Sequence, residues 1–157
     1  MNWQQICEDP QLRNLPYKIE LNETGQLIMT PARLIHGAYQ ARIVRILAKI
    51  LPSGECITEC AINTPKGTKV ADVAWFSSQR WEQVKAQYES PIAPEICVEI
   101  LSPSNSKVEI NTKKRLYFAA GAEEVWTCDE QGKLSFWNQT GELEQSGLAH
   151  GFPERID

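Results

Sequence analysis

The amino-acid sequence predicts a protein of the α/β class, a mixed α+β arrangement in which helices flank a central mixed β-sheet. Three observations carry that expectation. Over residues 32–51 the apolar positions Ile35, Tyr39, Ile43, Ile46, Leu47 and Ile50 recur at helical spacing. On either side of that segment the apolar period drops to two, the spacing of strands. Residues 95–101 divide into an apolar row (Ile96, Val98, Ile100) and a second row (Glu95, Cys97, Glu99, Leu101), as expected of a strand inside a sheet covered on both faces.

The elements follow in order. Residues 1–16 read as a peripheral helix or arm, and residues 17–157 as one domain without linker or repeat. Tyr17, Ile19 and Leu21 alternate along one strand. A turn at Glu23-Thr24-Gly25 leads into its partner, and Pro52-Ser53-Gly54 ends the long helix. Residues 55–63 and 69–76 form two strands joined through Thr64-Pro65-Lys66-Gly67, and residues 77–88 a helix. Ser102-Pro103-Ser104-Asn105-Ser106 breaks the strand at 95–101 and offers caps to a helix over 107–120, closed by Gly121. A strand at 125–128, a turn at Asp129-Glu130-Gln131-Gly132 and a strand at 134–137 complete the fold, with an irregular tail after Asn138.

Composition narrows the function. The chain has 157 residues, 42% hydrophobic and 23% charged, enough to bury a core of its own. A net charge of -4 argues against a protein that coats nucleic acid through bulk charge, while leaving room for a local phosphate-gripping patch. The 5 cysteines (Cys7, Cys56, Cys60, Cys97, Cys128) form no disulfide pattern. With no secretory signal in view, a reducing cytoplasm is the expected location. Cys56 and Cys60 lack the second pair or histidine that a zinc set needs. No apolar run reaches the roughly 20 residues of a membrane span.

Two acids stand out. Glu99 lies on the face of its strand opposite the apolar row, where its charge needs a cation, hydrogen bonds or a metal. Asp72 alternates with Ala71 and Val73 in the same kind of position. Two acids facing one way on neighbouring strands hold hard divalent ions, and at a strand edge they simply meet solvent. Among the remaining groups, Glu95 is placed at a rim and Glu124 in a structural role. Trp75, Trp126 and Trp137 are assigned to the core, and Trp3 or Trp81, if exposed, to a subunit contact. Lys107, Lys113, Lys114 and Arg115 on one helix, with Arg33, Arg42, Arg45 and Lys49 on the other, form either a phosphate track or two solvated faces.

Ala71-Asp72-Val73, Glu99-Ile100-Leu101-Ser102-Pro103-Ser104, Lys113 four residues before Tyr117, and Gly121 through Asp129 come in order. Upstream stand Glu20-Leu21, Gly25, Pro31 and His36. This series resembles the Uma-type family of restriction-endonuclease-like proteins, a branch of the PD-(D/E)XK nuclease superfamily, over residues 17–137. The resemblance implies a restriction-endonuclease-like core and a site in which Asp72 and Glu99 bind Mg²⁺ or Mn²⁺. It further implies hydrolysis of a phosphodiester, with DNA as substrate, assisted by a lysine. Glu20 and His36 match the family pattern as accessory groups. Two positions depart from it. Ala71 replaces the proline before the first acid, and Leu101 stands where the superfamily lysine belongs. The family pattern places a migrated lysine on the following helix, at Lys113, which shares a face with Leu116, Tyr117 and Ala120; Lys114 is the competitor. A homodimer or higher homo-oligomer would bring two sites to two strands. The rival expectation is an inactive descendant that keeps the fold as a binding or oligomerisation module. Neutralising either acid in the metal-free chain is expected to relieve their repulsion.

Overall fold

The computed structural model describes residues 1–157. The chain opens with α1 (Trp3–Glu8), held by a capping box between Asn2 and Gln5, and a single 3₁₀ turn at Pro10–Leu12. A hairpin follows, β1 (Tyr17–Leu21) and β2 (Leu27–Pro31), turning through Gly25 at φ 82°. Then come α2 (Leu34–Ile50), β3 (Glu55–Thr64), β4 (Gly67–Phe76), α3 (Ser78–Val84), β5 (Ile96–Ile100), α4 (Lys107–Ala119), β6 (Glu124–Cys128), β7 (Leu134–Asn138) and β8 (Gly141–Leu143).

The last six strands form one sheet in the order β3-β4-β5-β6-β7-β8. Only β5 and β6 run parallel, and α4 is the crossover that parallel pairing requires. All residues of β5 and β6 are buried, because both faces of the sheet are covered. On one face Ile43 and Leu47 of α2 pack against Ile96, Val98 and Trp126. On the other, Tyr117 of α4 and Val84 of α3 pack against Ala71, Cys97 and Val125. The 3.6-residue period of α2 and the two-residue period of β5 thus meet in one core.

Four expectations need correction. The helix at 77–88 stops at Val84, because Ser90 exchanges backbone hydrogen bonds with Ala61 and Asn63 on the edge of β3 and draws the chain out of helical register. The tail is not wholly irregular. It contributes β8 and then lays Ala149, Phe152 and Ile156 into the core, with Phe152 at 4.6 Å from the Trp126 ring. Of the tryptophans assigned to the core, Trp126 alone is fully buried; Trp75 and Trp137 are half-buried, as are Trp3 and Trp81. Glu95 is not a rim group either. It accepts the Ser77 N–H at 3.1 Å and lies beside Arg80. Glu124 has the structural role expected, accepting from the Trp126 indole, the Ser146 hydroxyl and the N–H groups of Gly147 and Leu148. No helix is long and apolar enough to cross a membrane.

Candidate metal and phosphate site

The site forms where two ladders of the sheet are interrupted. Strands β4 and β5 pair through Trp75↔Ile96, Ala74↔Cys97 and Val73↔Val98, and there the ladder ends. One step on, the Asp72 carboxylate takes the place of a backbone acceptor, its Oδ2 receiving the Ile100 N–H at 2.7 Å. On the opposite edge of β4, register pairs Thr58 with Val73 and Cys60 with Ala71 but leaves Asp72 unpaired across from Glu59, which sits at φ 53°. The Gln40 side chain of α2 supplies the missing donor, at 2.9 Å from the Asp72 carbonyl. The Asp72 side chain thus reaches across to the β5 backbone just where the ladder between the two strands has ended.

Glu99 is anchored in a similar way. Its Oε1 accepts the Tyr117 hydroxyl at 2.5 Å and the Lys113 ammonium at 3.4 Å, both from α4. Each acid therefore has one oxygen fixed by the protein, and the free oxygens converge. Asp72 Oδ1 and Glu99 Oε2 lie 3.0 Å and 3.1 Å from one point, the Nζ of Lys18. His36 Nε2 is 3.1 Å from the same Asp72 oxygen. Glu20 accepts the Val70 N–H at 2.7 Å and the Lys113 ammonium at 2.9 Å, so it ties the hairpin to both β4 and α4.

The structure thus gathers Asp72, Glu99, Lys113, Glu20 and His36 around one cavity of about 340 Å³. Lys114 points elsewhere, 3.8 Å above the Trp137 ring. Other members of the two basic helix faces are engaged separately, Arg42 with the Ile156 carbonyl and Arg33 with Glu130. Of the lysines and arginines on the two helices, only Lys113 lines the cavity. Lys18 was not foreseen. Its signal lay in the strand alternation, because Tyr17, Ile19 and Leu21 on one side leave Lys18 and Glu20 on the other.

Burial and charge shape the titration of these groups. Burial pushes the Asp72 carboxyl up, but the Lys18 charge, the His36 hydrogen bond and the Ile100 N–H outweigh it and hold it well below the ordinary range. Glu20 is also lowered, since Lys113 and Lys18 prevail over its burial. In Glu99 burial wins and raises the carboxyl, even with Lys113 and Lys18 beside it. The hydrogen bond to Asp72 raises His36. Burial opposes the charge on Lys18, yet Glu99, Asp72 and Glu20 together push its pKa up. The expected acid–acid repulsion is therefore already offset by an ammonium between the two carboxylates.

The donor chemistry fits a hard divalent ion. Two carboxylate oxygens from different strands meet at a single cationic point, while no three His, Cys, Asp or Glu side chains form a cage. Mg²⁺ is commonly held by one or two carboxylates, with water and phosphate oxygens completing its shell.

Comparison with known proteins agrees with this architecture. The family model Uma2, described as "Putative restriction endonuclease", matches residues 3–153. A crystal structure of a "putative nuclease belonging to DUF820" from Anabaena variabilis superposes with a TM-score of 0.77. That match covers 99% of this chain and 95% of the other at 17% identity, a likeness of fold. No curated protein matches the chain.

Proposed function

The chain belongs to the Uma2 family, and from that membership we propose that it is a metal-dependent nuclease hydrolysing phosphodiesters of DNA. The observation that carries the reading is the convergence of Asp72 Oδ1 and Glu99 Oε2 on one cationic point at the base of the cavity. Asp72 and Glu99 would hold Mg²⁺ or Mn²⁺ there. Such an ion lowers the pKa of a bound water and neutralises charge on the scissile phosphate.

The chain's own groups have distinct tasks in this reading. The Ile100 N–H and the Tyr117 hydroxyl lock the carboxylates, so little reorganisation is needed when charge develops. Lys113, positioned by Glu20, offers an ammonium to a phosphate oxygen or to the attacking water. Lys18 compensates the acids in the metal-free chain and supplies a second cation to the same cavity. His36 adjusts the charge of Asp72 through its own proton. A homodimer, if formed, would present two such sites; light scattering of the purified chain tests that part alone.

The decisive experiment is cleavage of plasmid and single-stranded DNA with Mg²⁺ or Mn²⁺, by intact protein and by Glu99→Gln. Glu99→Gln should cut at least about a hundred-fold more slowly. Calorimetry should show Mg²⁺ binding that Asp72→Asn abolishes. One observation favours a second reading, an inactive binding module: Lys18 and Lys113 already pair with both acids without any metal. Folded protein that neither cuts DNA nor takes up either ion would establish that second reading.

A further inference from the structure

The nuclease reading leaves open which form of DNA reaches the acids, and the shape of their cavity bears on that. The reacting centre is deep: the side chains of Asp72 and Glu99 are only 1% and 6% exposed, and those of Lys18 and Lys113 12% and 18%. The cavity above them holds about 340 Å³, a volume suited to one small-molecule-sized unit. Hairpin β1–β2, the start of α2 and α4 form its walls. A duplex is a stiff rod with its phosphates on the outside, and its sugar–phosphate rail cannot descend into a recess of this size without opening the walls. An unpaired strand can, because each nucleotide rotates independently about its own backbone.

The chemistry of the mouth points the same way. Duplex binding relies on cations that replace counterions along several successive phosphates. Here the net charge is -4, and the cations of the cavity are Lys18, Lys69 and Lys113 with His36 beside them. Of the arginines on α2 and just before it, Arg42 is engaged with the Ile156 carbonyl and Arg33 with Glu130. The rim instead exposes aliphatic side chains. Val108 on α4 is 74% exposed and Ile28 on β2 43%, and both line the cavity. Apolar surface of this kind has nothing to contact on a phosphate rail, but it can receive the face of an unstacked base.

Resting on the nuclease reading above, we propose that the substrate is single-stranded DNA or the unpaired end of a duplex, with one base held against Val108 and Ile28 while its phosphate reaches Lys18 and Lys113. The blunt duplex is excluded by the walls of the cavity.

The test is fluorescence anisotropy of metal-free protein with a labelled single-stranded 12-mer, the same sequence as a blunt duplex, and a duplex with an unpaired tail. The single strand and the tailed duplex should bind at least about ten-fold more tightly than the blunt duplex. Val108→Asn with Ile28→Asn is neutral in charge and lies on exposed positions. It should weaken single-strand binding by about ten-fold with an unchanged circular dichroism spectrum. Equal or tighter binding of the blunt duplex, or binding indifferent to the double substitution, overturns the proposal. Cutting is scored separately with Mg²⁺ on the same three DNAs. Equal cutting of all three overturns the single-strand preference and leaves the nuclease reading standing. Selective binding without any cutting overturns the nuclease reading.

Discussion

Asp72, Glu99 and Glu20 face Lys18 and Lys113 across the cavity floor, so three carboxylates meet two ammonium groups. Burial raises the Glu99 carboxyl and the hydrogen bond to Asp72 raises His36, so each binds a proton more readily than it does in the unfolded chain. Both pKa values are raised in the fold, so both contribute stability at low pH that is lost as pH rises, Glu99 from its ordinary 4.5 upward and His36 from 6.5 upward. Asp72 and Glu20 are lowered, and their contribution is present above 3.8 and 4.5 and lost as pH falls through the folded values. Metal-free protein should accordingly be most heat-stable in mildly acidic buffer, with a melting temperature that declines from about pH 6 to about pH 8. His36→Gln should flatten that decline; a profile identical to the parent's would remove His36 from the charge balance. Lys18→Met tests the cation itself. It leaves Asp72 and Glu99 buried without their shared partner, at a cost of about 3–5 kcal/mol in urea denaturation. Saturating Mg²⁺ should recover more stability in Lys18→Met than in the parent, because there the ion replaces the missing charge.

At the scale of elements, the position of Lys18 depends on how the hairpin docks. The β3–β4 turn reaches it through Gly67, at φ 88°, where an added Cβ would come within 2.2 Å of the Leu21 carbonyl and 2.5 Å of Asn22. Gly67→Ala must either strain this turn or push the hairpin outward, and should cost about 1–3 kcal/mol. The informative readout is Mg²⁺ affinity. If the hairpin moves, Lys18 and Glu20 move with it and the affinity changes; an unaltered affinity would show that the hairpin is independent of the acids. Helix α4 is fixed from its other end by a capping box, Ser106 and Glu109 exchanging hydrogen bonds at 3.1 Å and 3.2 Å. Ser106→Ala should lower stability by about 1 kcal/mol, and a smaller loss would mean that packing of Leu116 and Tyr117 alone holds the helix.

For the molecule as a whole, the charge balance limits the proposed binding of DNA. If the cavity's three lysines make the phosphate contacts, the plot of log affinity against log salt for a single strand should have a slope of about −2 or shallower. A slope several-fold steeper would point to a phosphate track outside the cavity. In that proposal the architecture keeps the contact set small. The sheet is covered on both faces, and the acids emerge only where its ladders part.

The sequence alone determined the periodic parts of this protein. The long amphipathic helix, the two-faced strand at Ile96–Ile100, the Gly25 turn and the Ser106 cap were readable because each is set by local spacing or local backbone preference. The ordered series around Asp72, Glu99 and Lys113 likewise indicated the family. What only tertiary structure decided is which charges meet. Lys18 is 54 residues from Asp72 and 81 from Glu99, and no local pattern specifies contacts at such separations. The end of α3 and the packing of the tail were lost for the same reason, since partners distant in sequence pull the chain away from its local preference. Helical period separated the neighbours Lys113 and Lys114 only in outline; the fold sends one to Glu20 and the other to Trp137. Periodicity fixes which way a side chain faces along its own element, whereas the packing of elements fixes what it faces.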